Sequence, residues 1–182
     1  MSGSGWISTS MPYLTPRAVG DTDAWTEEGA KAGRRGGQRI LYAGEVPAPK
    51  DVARMLGLTG EPTVVVRRRI IELDGEPTEL TDTYYPADIA AGTPLAAGAK
   101  IRGGAVTLLA ALGHVGVRVV EDVTARPAGA EERAILRLAP AESLLCLART
   151  TYNAADRPIQ ADVMLMPGGR QQLRYEMGID SA

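Results

Sequence analysis

The amino-acid sequence predicts an α+β domain, a mostly antiparallel sheet with peripheral helices, built twice from the same helix-hairpin unit. Three observations carry that expectation. The chain repeats itself: Pro47-Ala48, Leu56, Leu58 and Arg69 recur 80 residues later as Pro127-Ala128, Leu136, Leu138 and Arg149, and Pro77 and Pro86 recur 81 residues later as Pro158 and Pro167. Each copy holds two strand-like runs joined by a turn signal, Asp74-Gly75 in the first and Asn153 to Asp156 in the second. A short helical pattern precedes each hairpin, so helices should lie on one face of the sheet or at its rim. Such a pseudo-twofold repeat implies a cleft between related halves.

Residues 1–37 are rich in Gly, Ser, Thr and Pro and read as an N-terminal arm with little structure of its own. Trp6, Ile7, Met11, Tyr13, Leu14 and Trp25 are too apolar for a solvated tail, so the arm should dock in part on the domain or on another subunit. Arg34 and Arg35, set among glycines, read as a solvated tip in preference to a phosphate contact.

The ligand-binding domain is expected over 38–182, and it opens with a strand from Gln38 to Val46. Pro49 starts a helix whose Val52, Met55 and Leu56 share a face and which Gly57 ends. The run from Thr63 to Leu73 is a strand that returns, after Asp74-Gly75, from Pro77 to Tyr85. Ala87 to Thr93 should be a turn or short helix, Ala105 to Leu112 an apolar helix closed by Gly113, and Val115 to Ala125 a strand. The second unit follows with a helix around Ala130 to Leu136, a strand from Leu144 to Tyr152, and a strand from Pro158 to Met166. A last strand from about Gln171 to Gly178 is expected to end the fold.

At 182 residues the length suits one well-buried domain. A net charge of −2 offers no surplus of cations for phosphates, which argues against direct DNA binding. The one cysteine, Cys146, cannot form an internal disulfide and reads as a small buried hydrophobe. No signal peptide opens the sequence and no apolar run is long enough to span a membrane, so a cytoplasmic location without membrane contact is expected.

His114 is the one histidine, which removes most nucleophilic triads, and no metal-ligand spacing occurs, so neither a metal nor a cofactor is expected. Gly103-Gly104 before a helix presents free N–H groups, although such pairs are common without function. Arg69 and Arg149 each sit inside an apolar strand at the same place of the repeat. Each either pairs with a carboxylate, such as Glu72, Asp162 or Glu176, or faces a cavity and grips an anion.

Taken in order, Gly57-Leu58, Val66-Arg67-Arg68-Arg69, Asp74-Gly75-Glu76-Pro77, Tyr84-Tyr85-Pro86, Leu112-Gly113-His114, Arg149-Thr150-Thr151-Tyr152 and Arg157-Pro158 resemble the UTRA domain. That domain is the effector-binding half of GntR-family transcriptional regulators of the HutC subfamily. Met11 to Leu14, Asp23 to Trp25 and Gly92 to Leu95 look like its actinobacterial branch, and the resemblance covers roughly Tyr13 to Glu176. It implies a chorismate-lyase-like fold with a six-stranded antiparallel sheet, a small-molecule effector pocket and a homodimer. A winged-helix DNA-binding domain precedes UTRA in complete regulators, and the arm before Gln38 does not hold one. The chain is therefore expected to be a fragment or a stand-alone UTRA protein, with the opening from Met1 favouring the latter. A stand-alone copy is expected to act as a dimer or through a protein partner, heterodimers with full-length GntR relatives being one such route.

Residue by residue, the resemblance places a ligand site at Arg69, Ile71, Thr81, Gly104, Ala105, Tyr152, Gln160 and Met166. Sugar-phosphate-sensing members carry basic, acidic, hydroxyl and aromatic residues where this chain has Ile71, Thr81, Gly104 or Ala105, Gln160 and Met166. The pocket is thus expected to be more apolar and to take an effector less anionic than a sugar phosphate. The alternative expectation is an enzyme of this fold, a lyase, isomerase or cyclase of specialised metabolism, using Arg69, Asp162, Tyr152 and His114, although a shared fold argues weakly for shared chemistry.

Overall fold

The two hairpins foreseen from the repeat meet at their second strands. The computed structural model describes residues 6–18, 21 and 23–178. Its elements are β1 (Trp6–Ser8), α1 (Ala24–Lys31), β2 (Gly36–Pro47), α2 (Lys50–Met55), β3 (Thr63–Leu73), β4 (Glu76–Pro86), α3 (Ala87–Ala90), α4 (Ala105–Ala111), β5 (Arg118–Pro127), α5 (Ala130–Leu136), β6 (Ser143–Tyr152), β7 (Pro158–Pro167) and β8 (Gln171–Leu173). The main sheet has six strands in the order β2-β3-β4-β7-β6-β5, every neighbour antiparallel. This is an α+β fold, and its strand order is symmetric about the β4–β7 contact.

Local chemistry explains the hairpins. Asp74 and Gly75 both have positive φ, 55° and 85°, which sets a two-residue turn whose twist matches the flanking strands. Period-two alternation then sends even-numbered residues of β3 to one face and odd-numbered ones to the other. The even face packs on the two repeat helices. Val52 of α2 and Leu56, which caps its C-terminal end, bury against Val64, Val66, Tyr84 and Ala161, while Leu136 of α5 buries with Ile70, Leu80 and Leu144. Leu56 and Leu136, equivalent in the repeat, are 3% and 0% exposed, and each burial contributes about 2 kcal/mol.

The odd face of β3 and β4 carries the functional interest. At one end Val65 and Tyr85 join Ile89 and Ala90 of α3, Leu95, and Leu109 of α4 in a separate core cluster. Toward the other end the face becomes polar, and chain from outside the repeat covers it.

That cover includes described parts of the first 37 residues, a stretch expected to have little structure of its own. Among the described residues they hold β1, a 3₁₀ turn at Met11–Tyr13 and α1. Asp23 caps α1 by accepting from the Thr26 backbone N–H at 3.0 Å, a start signal that the glycine-rich composition obscured. The helix lies very close to β2, since a Cβ on Gly29 would stand 2.7 Å from the Gly36 nitrogen. Trp25 donates from Nε1 to the Glu72 carbonyl at 2.9 Å and meets Trp6 edge to face. Arg34, read as a solvated tip, is exposed and pairs with Asp74 of the hairpin turn at 2.7 Å.

The final strand differs from expectation. It runs only from Gln171 to Leu173 and leaves the main sheet to pair in parallel with β1. The ladder ends where β1 does: Arg174 donates its backbone N–H to the Ser8 carbonyl, and among the described residues no strand pairs with residues 174–178.

Candidate functional site

A cavity of about 180 Å³ lies over the polar half of the odd face. Its floor comes from four strands in register: Arg69 opposite Thr81 on β3 and β4, Thr83 opposite Asp162 on β4 and β7, and Asp162 opposite Arg149 on β7 and β6. The N-terminal segment lines it through Trp6, Tyr13, Arg17 and Trp25, and Gly103, Gly104 and Ala105 at the start of α4 line it as well.

The roof is tied down by buried bonds. Arg67, 4% exposed, donates to the carbonyls of Leu95 at 3.0 Å and Ala99 at 2.9 Å, which fixes the turn leading into α4. Burial depresses its guanidinium below the usual arginine range. Arg17 donates its backbone N–H to Thr107 Oγ1 at 3.0 Å, while its side chain pairs with Glu27. Tyr13 donates its hydroxyl to Glu28, and burial raises the phenol. Lys100 holds Asp23 at 2.8 Å, so the Asp23 carboxyl stays below its ordinary range although burial pulls it upward.

The two repeat arginines differ sharply in their partners. Arg149 pairs with Glu121 through Nε at 2.5 Å and donates from Nη2 to Ser10 Oγ at 2.9 Å. Its partner is thus Glu121, and Asp162, although opposite on β7, is outside ion-pair distance. Arg69 forms no ion pair among the described residues. It donates to Thr83 Oγ1 at 3.0 Å and reaches Gln38 Oε1 at 3.5 Å, and its buried Nε has no acceptor. The Thr83 hydroxyl in turn donates to Asp162 at 2.7 Å, and Gln160 donates to the other Asp162 oxygen at 2.8 Å. Glu79, on the same face of β4, accepts from Thr81, and burial raises its carboxyl.

Of the residues expected from the resemblance, Arg69, Ile71, Thr81, Gly104, Ala105, Gln160 and Met166 all border this cavity. Tyr152 does not; it ends β6 with its ring under the Arg118 guanidinium, 3.9 Å away. His114 also stands apart, beside a minor cleft with Thr151 and Gln160. Among the residues considered for catalysis, only Arg69 and Asp162 therefore share the cavity. Cys146 is half-buried and burial raises its thiol, against a nucleophilic role.

Several lining residues escaped the sequence reading. Glu79, Thr83 and Tyr85 alternate with period two around Thr81, so the strand pattern contained them once Thr81 was placed. Trp6, Tyr13 and Trp25 were flagged only as apolar residues of a docking arm. Gln38 and Arg17 carried no local signal. Among the described residues no group of His, Cys, Asp and Glu is arranged to hold a metal, and no helix is long and apolar enough to cross a membrane.

Comparison with known proteins agrees with this architecture. A Streptomyces coelicolor protein named as an uncharacterized HTH-type transcriptional regulator is 29% identical over 169 residues, covering 90% of this chain and 63% of the relative. The chain thus spans less than two thirds of that protein. The effector domain of PhnF from Mycobacterium smegmatis superposes with a TM-score of 0.73 at 21% identity, covering 91% of this chain and 99% of that one. The ligand-binding domain of a protein described as a GntR-family regulator from Bordetella bronchiseptica gives a TM-score of 0.67 at 28% identity, over 79% of this chain and 91% of that one. The UTRA domain family matches residues 31–172, which include every strand of the six-stranded sheet and nearly all of the cavity floor. The chain therefore belongs to the UTRA domain family.

Proposed function

We propose that this UTRA chain is the small-molecule effector-binding domain of a GntR-type transcriptional regulator of the HutC subfamily. The observation that carries this reading is the cavity itself. Its floor holds one arginine, Arg69, that has neutral partners only, inside a wall of side chains from four strands and the N-terminal segment. Arg149, by contrast, is neutralised by Glu121, and Arg67 is spent on backbone carbonyls. The name of the Streptomyces relative supports the regulatory setting.

On this reading the chain binds its effector as a homodimer, or as a heterodimer with longer GntR relatives, and does not bind DNA by itself. A net charge of −2 fits the latter. Native mass spectrometry of the purified chain should show a bound small molecule and two subunits, and a gel-shift assay should show no operator complex. A clear shift by the chain alone would overturn the reading. Of the residues named for the enzymatic alternative, only Arg69 and Asp162 border the cavity, while Tyr152 and His114 stand apart from it.

A further inference from the structure

The cavity is rich in donors that the protein leaves without acceptors. Five buried side-chain polar atoms lack a hydrogen-bond partner among the described residues. Four of them, Trp6 Nε1, Arg17 Nε, Arg69 Nε and Gln171 Oε1, belong to residues that border the cavity. Three of those four are N–H groups. Buried donors are costly when unpaired, so an occupant with more acceptors than donors fits this lining.

Among the described residues, only Arg69 combines an orphan donor with a guanidinium that makes no ion pair. Arg17 pairs with Glu27, Arg149 pairs with Glu121, and Arg67 is spent on backbone carbonyls. The repeat shows how the difference arises. Arg149 lies between Glu121 on β5 and Asp162 on β7, whereas Arg69, at the same place of the first unit, lies between Ile40 on β2 and Thr81 on β4. Cross-strand carboxylates flank one arginine, and an apolar and a hydroxyl side chain flank the other.

Resting on the effector-domain reading above, we infer that the cavity takes a small monocarboxylate with an apolar body, its carboxylate held at the Nε–H of Arg69. A single charge follows from the neighbours. Asp162, 4% exposed, shares the Thr83 hydroxyl with Arg69, and no cation stands within ion-pair distance of it among the described residues. Glu79 borders the same space. With Asp162 and Glu79 beside Arg69, a doubly charged phosphate meets more repulsion than a single carboxylate does. Ile71, Met164 and Met166 on the floor, with the Trp6 and Trp25 rings above, supply the apolar surface. Trp6 Nε1 and Arg17 Nε, both from the N-terminal segment, serve further acceptors on the ligand.

The test is a titration of the ¹⁵N-labelled full chain with benzoate, benzamide and inorganic phosphate, following the Arg69 Nε–H resonance identified by its loss in Arg69→Lys. Benzoate is expected to move that resonance downfield and to saturate, binding about tenfold or more tightly than the isosteric but uncharged benzamide. Equal binding of benzamide, tighter binding of phosphate, or no response to benzoate overturns the monocarboxylate class. Thr83 reports separately on the cavity: a neutral probe that moves Thr83 while benzoate does not leaves the effector-domain reading standing, and no probe reaching Thr83 sinks both. If Arg69→Lys does not fold, the unfolding midpoint of the unmodified chain in benzoate against benzamide gives the same comparison.

Discussion

Arg149 and Glu121 stand directly opposite each other on neighbouring strands and form an ion pair at 2.5 Å, with side chains only 8% and 9% exposed. Burial works to raise the Glu121 carboxyl, yet the guanidinium wins and holds it below its ordinary range. Removing one partner of such a pair strands a buried charge. Glu121→Ala is expected to lose about 3 kcal/mol, with Glu121→Gln losing less because it still accepts from Arg149. Urea denaturation of the two variants checks the order.

Arg69 predicts the opposite sign. It makes no ion pair and its buried Nε has no acceptor among the described residues, so Arg69→Met should stabilise the empty domain by about 1 kcal/mol while abolishing the response to benzoate. Thermal unfolding with and without benzoate separates the two effects. A destabilised variant would mean that Arg69 supports the sheet as Arg149 does.

Acid should weaken the start of α5. Glu132 accepts from Arg126 through both oxygens, at 2.8 and 2.5 Å, and from the Gly129 backbone N–H at 2.6 Å. The Arg126 bonds first, with Gly129 added, pull its carboxyl down to about 2 against an ordinary 4.5. A carboxyl depressed in the folded state stabilises above its unfolded pKa and loses that contribution as the pH falls toward the folded value. The chain should therefore exceed Glu132→Gln in melting temperature at pH 7, with the gap closing from about 4.5 down to about 2.

The first hairpin turn isolates backbone strain from packing. Gly75 has φ of 85°, and no atom lies within 4 Å of where its Cβ would be. Gly75→Ala should cost about 1 kcal/mol from conformation alone, and Gly75→Asn should recover part of it, because asparagine tolerates the left-handed region. Chemical denaturation of the pair measures this.

Docking of α1 rests on backbone contact. A Cβ on Gly29 would meet Gly36 main-chain atoms, which cannot move aside as a side chain can. Gly29→Ala should cost about 2 kcal/mol and loosen the wall that carries Trp25. Faster proteolytic cleavage before β2, with the sheet intact, is the expected readout.

While the face that α2 and α5 cover emerged from the packing, the repeat at offsets of 80 and 81 residues, the two turn signals and the helix-ending glycines determined the antiparallel sheet and its pseudo-twofold construction. Those features are local or periodic, so a one-dimensional reading reaches them. Thr81, Gln160 and Met166 could be placed by resemblance because the strands that carry them keep register. The last strand and the arm were misjudged for the opposite reason: β8 depends on a partner at Trp6–Ser8, far away in sequence, and α1 depends on a close glycine contact with β2.

What the two arginines do was decided only by tertiary structure. Both sit at the same place of the repeat, although Arg69 follows two further arginines and Arg149 follows an apolar run. Their partners come from other strands: Glu121 reaches Arg149 across β5 and β6, while Arg69 finds Ile40 and Thr81 at the equivalent places. A charge is neutralised or left free by what stands across the sheet. Local sequence sets which face a strand residue takes, but long-range register sets whom it meets there.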